Sequence, residues 1–240
     1  MKLLVIADIH SNIDGLEALW QNVQGADEIW CIGDVVDYGP FPAEVIDWLQ
    51  EKQAVCVRGN HDEKVCKAYR RKETGSDVAL LSWAEHNAGQ LQERHVRYLE
   101  GLPWYRVMER DGCRYGLSHM YERYTYHELQ SLYQYRRFWH EELGSPQDPS
   151  QQSCLLFGHT HRLGVHWLSA TERWLNPGSV SYRRPDDPDK TAHGIVITEG
   201  QPVMHRVPYD RRRLWQVTDA IPLQGPERDV AQVFFQEKGW

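Results

Sequence analysis

The sequence has no apolar run approaching the roughly 20 residues that a membrane-crossing helix needs, so no such helix is expected. It also lacks any CxxC pair. Its five cysteines (Cys31, Cys56, Cys66, Cys113, Cys154) form an odd set, which points to reduced thiols and away from a disulfide framework. Excess positive charge is missing as well: 27 Lys and Arg face 34 Asp and Glu, for a net charge of -7. That balance disfavours a surface that tracks long nucleic acid by releasing counterions. There is no internal repeat, and only short polar loops at 145–153 and 185–190 resemble low-complexity sequence, so solenoids and fibrous arrays drop out.

What is present is ordinary for a globular chain: 240 residues, 41% apolar and 25% charged, enough for one domain spanning 1–240. The apolar stretch 3–7 is interrupted by Asp8 and His10, so it reads as a strand and not as a secretory signal. Together with the thiols, this leads us to expect a cytoplasmic chain. Short apolar runs at 3–7, 29–32 and 54–57 alternate with amphipathic stretches at 14–23 and 42–50, the pattern of βαβ units on a parallel sheet. Residues 63–101 are charged and helical in pattern, and are expected as a cap-like helical insert. Strands follow at 104–108 and 114–118 around the Asp111-Gly112 turn. A Tyr-rich helix is expected over 128–143, then strands at 154–157, 164–169, 173–175, 192–198 and 202–207. The stretch 211–240 has weak periodicity and no assignable role.

The first three strands each end in a turn of metal-ligand residue types: Asp8-Ile9-His10, Gly33-Asp34-Val35-Val36-Asp37 and Gly59-Asn60-His61-Asp62. In open α/β sheets ligands sit at the carboxyl ends of strands. Adding His119, His159 and His161 gives carboxylate, imidazole and amide donors together, a mixture suited to Mn, Fe or Zn more than to Ca. Seven donors (Asp8, His10, Asp34, Asn60, His119, His159, His161) are too many for one ion. Two ions sharing a carboxylate use them all, the arrangement that clamps an in-line phosphoryl displacement.

Any one of these turns alone is weak, but five in order are specific. The series DxH, GDxxD, GNH[ED], a later His (His119) and GHxH (Gly158-His159-Thr160-His161) resembles the signature of the calcineurin-like metallophosphoesterase superfamily. Asn176-Pro177-Gly178-Ser179 further resembles a segment of its small bacterial and archaeal phosphodiesterase branch. The resemblance implies an α/β fold, a four-layer α/β/β/α sandwich. It also implies a metal-dependent phosphoesterase (phosphodiesterase or phosphatase) acting on a small-molecule or nucleotide phosphoester. By the same resemblance Asp8, His10 and His161 hold one divalent ion, Asn60, His119 and His159 hold a second, and Asp34 bridges them. His61 is the expected general acid, with Asp37, or alternatively Asp62, orienting it.

Two features depart from neighbouring branches. Tyr38 stands where phosphoprotein phosphatases carry a phosphate-gripping Arg, and Asp37 stands where many small phosphodiesterases carry Gly. His127 and His140 compete with His119 for its ligand place. Tyr38 and Phe41 are expected to line the substrate pocket, and Arg58 to point away from the site. The Tyr/Arg-rich stretch near 121–139 reads either as a base-stacking platform or as an amphipathic helix with its rings in the core, the second being the simpler. Arg183 and Arg184 read either as phosphate contacts or, equally, as part of a solvated loop, and exposed Tyr and Trp fit a homodimer. Rival readings are a protein phosphatase, a dinucleoside-polyphosphate hydrolase, or a scaffold that keeps the fold without catalysis.

Overall fold

The computed structural model describes residues 1–72, 81–144, 151–181 and 190–235. In chain order the elements are β1 (Lys2–Ile6), α1 (Ile13–Asn22), β2 (Glu28–Cys31), α2 (Pro42–Glu51), β3 (Val55–Cys56), α3 (Asn60–Lys72), α4 (Trp83–Gln90) and α5 (Glu93–Gly101). These are followed by β4 (Tyr105–Arg110), β5 (Cys113–Ser118), α6 (Leu132–Glu141), β6 (Gln152–Leu156), β7 (Gly164–Trp167) and β8 (Glu172–Asn176). The chain then forms β9 (Ala192–Thr198), β10 (Gln201–Val207), α7 (Arg212–Asp219) and α8 (Gly225–Phe235).

The strands make two sheets of five, ordered β10-β9-β1-β2-β3 and β4-β5-β6-β8-β7. Each has a parallel trio, β1-β2-β3 and β5-β6-β8, extended by antiparallel strands. The apolar run of β1 is explained by burial on both faces. Leu4 and Ile6 enter the cluster under the helices α1 and α2, while Leu3 and Val5 alternate into a second cluster that joins the two sheets. A third cluster seats Tyr135, Phe138 and Trp139 of α6 on the far face of the second sheet. The layers are therefore helices, sheet, sheet, helix, the α/β/β/α sandwich.

Helix boundaries depart from expectation in three places. The helical run begins at Asn60, not residue 63, and the buried side chains of α3, α4 and α5 (Val65, Trp83, Ala88, Leu99) share the cluster of α1 and α2. The helix expected from 128 starts at Leu132, because the Ser131 hydroxyl accepts the Gln134 N–H and caps it there. The unassigned tail forms α7 and α8, and Leu214 and Phe235, with Leu223 of the turn between the helices, complete the same cluster. All five cysteines are buried free thiols. Among the described residues no helix is long and apolar enough to cross a membrane.

Candidate metal centre

Both sheets deliver chemistry at the same edge. Asp8 and His10 follow β1, Asp34 and Asp37 follow β2, and Asn60 and His61 open α3 directly after β3. From the other sheet come His119 after β5 and His159 and His161 after β6. These loops turn sharply: Asp8, His10, Asp34, His159 and His161 all adopt left-handed backbone, with φ of 53°, 48°, 52°, 64° and 58°. Non-glycine residues hold that conformation at a cost of order 1 kcal/mol each, which functional loops commonly bear. The motif glycines have a steric origin. A Cβ on Gly59 would lie 2.0 Å from Asp34 Oδ1, and one on Gly158 would lie 2.8 Å from Asp8 Oδ2.

The turns bring the donors into two adjoining buried groups, Asp8 with His10 and His161, and Asp34 with His119 and His159. Asp8 Oδ1 stands 3.1 Å from His161 Nε2, and Asp34 Oδ2 stands 3.0 Å from His119 Nε2. The groups touch: His10 Nε2 lies 4.0 Å from Asp34 Oδ2, and His119 Nε2 lies 4.0 Å from Asp8 Oδ1. Asp34 uses its other oxygen to accept the His61 N–H at 2.9 Å, a first-turn bond of α3 that turns Oδ2 inward.

The donor set fits cations on its own chemistry. His119 Nδ1 lies 2.7 Å from the Ile32 carbonyl, which can only accept, so that nitrogen carries the hydrogen and Nε2 faces the carboxylates. Burial works against charge on His119, yet the Asp34 and Asp8 carboxylates draw it up to about 10, the electrostatic signature of a place that favours positive charge. Burial and the neighbouring His119 push His159 down to about 4, leaving it a neutral donor. Burial likewise holds His10 well below the usual histidine range. Asn60 Oδ1 and His159 Nε2 are buried with no hydrogen-bond partner among the described residues, which two ligand atoms awaiting an ion would show.

Beside the donors, His61 Nδ1 meets Asp37 Oδ2 at 2.6 Å, and Lys64 Nζ reaches the same oxygen at 3.0 Å. Burial lowers the His61 pKa, but the Asp34 charge and the Asp37 hydrogen bond outweigh it and hold the imidazole above its ordinary value. Asp62 does not touch that ring. It accepts the backbone N–H groups of Asp34, Val35, Val36 and Gly59, stitching two of the turns together. Burial and the charge of Asp34 push its carboxyl up to about 7, against the pull of those donors.

Several braces carried no motif. Asn87 of α4, fully buried, accepts from the Ser11 hydroxyl at 2.5 Å and the Asp37 N–H at 2.9 Å, and donates to the Gly39 carbonyl at 2.8 Å. A lone Asn in a helical pattern gives no sequence signal for this. Asn176 donates to the Gly158 carbonyl and to Thr160, and Ser179 donates to the Asp8 carbonyl, so the Asn-Pro-Gly-Ser segment fastens the His159 loop and the Asp8 turn.

The remaining candidates separate by position. His127 is exposed and pairs with Glu122, and His140 is exposed on α6, so neither joins the donors. Tyr38 lies over the centre, its ring 5.5 Å from that of His10 and 4.8 Å from that of His61. Phe41 does not line the mouth; it is buried in the helix-side cluster under Arg213, because its turn points it inward ahead of α2. Arg58 points away, donating to the carbonyls of Leu99 and Glu100 at the end of α5. Tyr121, Tyr124 and Tyr126 lie on an irregular loop, not a helix, and only Tyr121 packs on the core. Arg183 and Arg184 fall outside the described residues.

The chain is similar to known proteins along most of its length. A crystal structure of a metallophosphoesterase from Sphaerobacter thermophilus superposes with a TM-score of 0.70 at 23% identity, over 97% of this chain and 100% of that one. An uncharacterized protein of Methanocaldococcus jannaschii is 39% identical over 105 residues, 42% of each chain. A symmetrical bis(5'-nucleosyl)-tetraphosphatase of Pseudomonas syringae pv. syringae is 31% identical over 78 residues, 30% of this chain and 27% of that protein. The chain thus aligns with less than half the length of these two relatives. The profile of the calcineurin-like phosphoesterase superfamily domain matches residues 1–199, and the chain belongs to that superfamily.

Proposed function

We propose that the protein is a dimetal-dependent phosphoesterase that hydrolyses a phosphodiester or phosphomonoester bond of a small-molecule or nucleotide substrate. The observation that supports this best is the meeting of two buried Asp/His groups with an imidazole–carboxylate pair at their rim. In this reading Asp8, His10 and His161 hold one cation, Asn60, His119 and His159 hold the other, and Asp34 lies between them. Two bound cations supply Lewis-acid activation of water and neutralise charge on the phosphoryl group. His61, kept protonated by Asp37, gives its proton to the departing oxygen. Tyr38, in place of a phosphate-gripping Arg, speaks against a protein phosphatase.

The test is turnover of bis-p-nitrophenyl phosphate and p-nitrophenyl phosphate by metal-stripped protein with Mn, Fe or Zn restored, for wild type and His61→Ala. Wild type is expected to be active only with metal. Because p-nitrophenolate leaves readily unprotonated, His61→Ala should lose more activity as aryl leaving groups become more basic. Wild-type protein inert toward every ester with every metal would sink the proposal and favour a scaffold. A second reading, a dinucleoside-polyphosphate hydrolase, is favoured by the Pseudomonas syringae relative. Release of nucleotides from diadenosine tetraphosphate by the same metal-restored protein tests it.

A further inference from the structure

Next to the metal centre, between the irregular loop after β5 and helix α6, lies a cavity of about 710 Å³. That volume falls within the range of small-molecule sites. It opens from the same rim as the donors through three residues. Tyr126 lines it and stacks on His159, with ring centroids 4.6 Å apart and planes 8° from parallel. Arg162 lines it and directly follows His161. Glu128 lines it and accepts the hydroxyl of Thr160, between the two histidines, at 2.8 Å.

The chemistry of the walls selects among ligands. Tyr126 is 62% exposed although it sits against a buried histidine, so a broad aromatic surface is presented at the mouth. Four carboxylates (Glu122, Glu128, Glu141, Glu142) face three guanidiniums: Arg137 pairs with Glu141 at 3.3 Å, Arg162 with Glu128 at 3.9 Å, and Arg123 lies over the rings of Trp104 and Tyr105. Such walls do not collect phosphate. They suit a planar, uncharged group rich in hydrogen-bond donors and acceptors, with stacking on the tyrosine and carboxylates and guanidiniums for its edges.

We infer that this cavity is a nucleoside subsite, in which Tyr126 stacks the base of a nucleotide substrate while the phosphoryl group lies at the Asp/His centre. The inference rests on the phosphoesterase reading for the second half of that statement, and its test does not. Metal-free protein is titrated with adenosine and with ribose, and binding is followed by ligand-observed NMR. Adenosine is expected to bind and ribose to show no measurable binding. Tyr126→Ala should weaken adenosine about tenfold, from the value of one base–aromatic stack, while Tyr126→Phe should stay within about twofold of wild type. Absence of adenosine binding, or equal affinity in wild type and Tyr126→Ala, overturns the inference. Adenosine binding by a protein that turns over no ester would leave the subsite standing and remove the phosphoesterase reading. Ester turnover without adenosine binding would do the reverse.

Discussion

Asp37 and Asp62 show how residues of one type, three or four positions from a motif glycine, take different work. Asp37 faces a side chain, with His61 at 2.6 Å, whereas Asp62 faces four backbone N–H groups. Spacing alone left either one as the partner of His61, because both close motif turns and neither direction can be read from one strand's alternation. Their substitutions should therefore part. Asp62→Ala strands four donors, Gly59 and Asp34 to Val36, away from water, and is expected to cost about 3 kcal/mol or more. The urea midpoint measures it. Asp37→Asn keeps a hydrogen-bonding group of the same shape and should shift that midpoint little, but lower kcat about tenfold or more, by leaving the His61 imidazole less firmly protonated. Equal losses of stability in the two variants would contradict this division.

At the scale of elements, the strands were legible because burial on both faces leaves a continuous apolar run, as in β1, and each ligand turn interrupts such a run with Asp, Asn or His. Helix starts were less legible. The first turn of α3 contains Asn60 and His61, residues that read as a loop, and it is held by the distant Asp34 carboxylate accepting the His61 N–H. The Tyr-rich loop before α6 misled for a related reason: its aromatic spacing resembles a helix face, but Ser131 starts the helix later. Helix α4 gave no sign that it serves the site. Through Asn87 it ties the Ser11, Asp37 and Gly39 turns together, all fully or nearly buried. Asn87→Ala should therefore cost about 2 kcal/mol from unsatisfied polar groups. It should also lower kcat more than KM rises, because the loop that aims Asp37 at His61 loosens. A full-rate, destabilised variant would show that α4 is only a packing element.

The whole molecule adds a helical layer that the family profile does not reach. The profile ends at residue 199, yet α7, α8 and the turn between them bury Leu214, Ile221, Leu223, Ala231 and Phe235 in the cluster shared with α1 to α5. Their periodicity is weak in sequence because each lays only a narrow stripe on a surface already built by other helices, leaving most of its positions exposed. Phe235 is fully buried with its ring 6.2 Å from that of Trp83, and Phe234 lies 6.4 Å from Tyr38, the ring over the metal centre. The last helix thus connects the core to the mouth of the site. Phe235→Ala removes a buried ring and leaves a cavity against Trp83, an expected loss of about 3 kcal/mol. Deleting residues 211–240 should do more, exposing the apolar faces of Trp83 and Phe41 that this layer covers, and should give a chain that binds hydrophobic dye and aggregates. If the shortened chain stayed monomeric with an unchanged urea midpoint, the superfamily core would be complete without α7 and α8, and the contact of Phe234 with Tyr38 would be left as their bearing on the site.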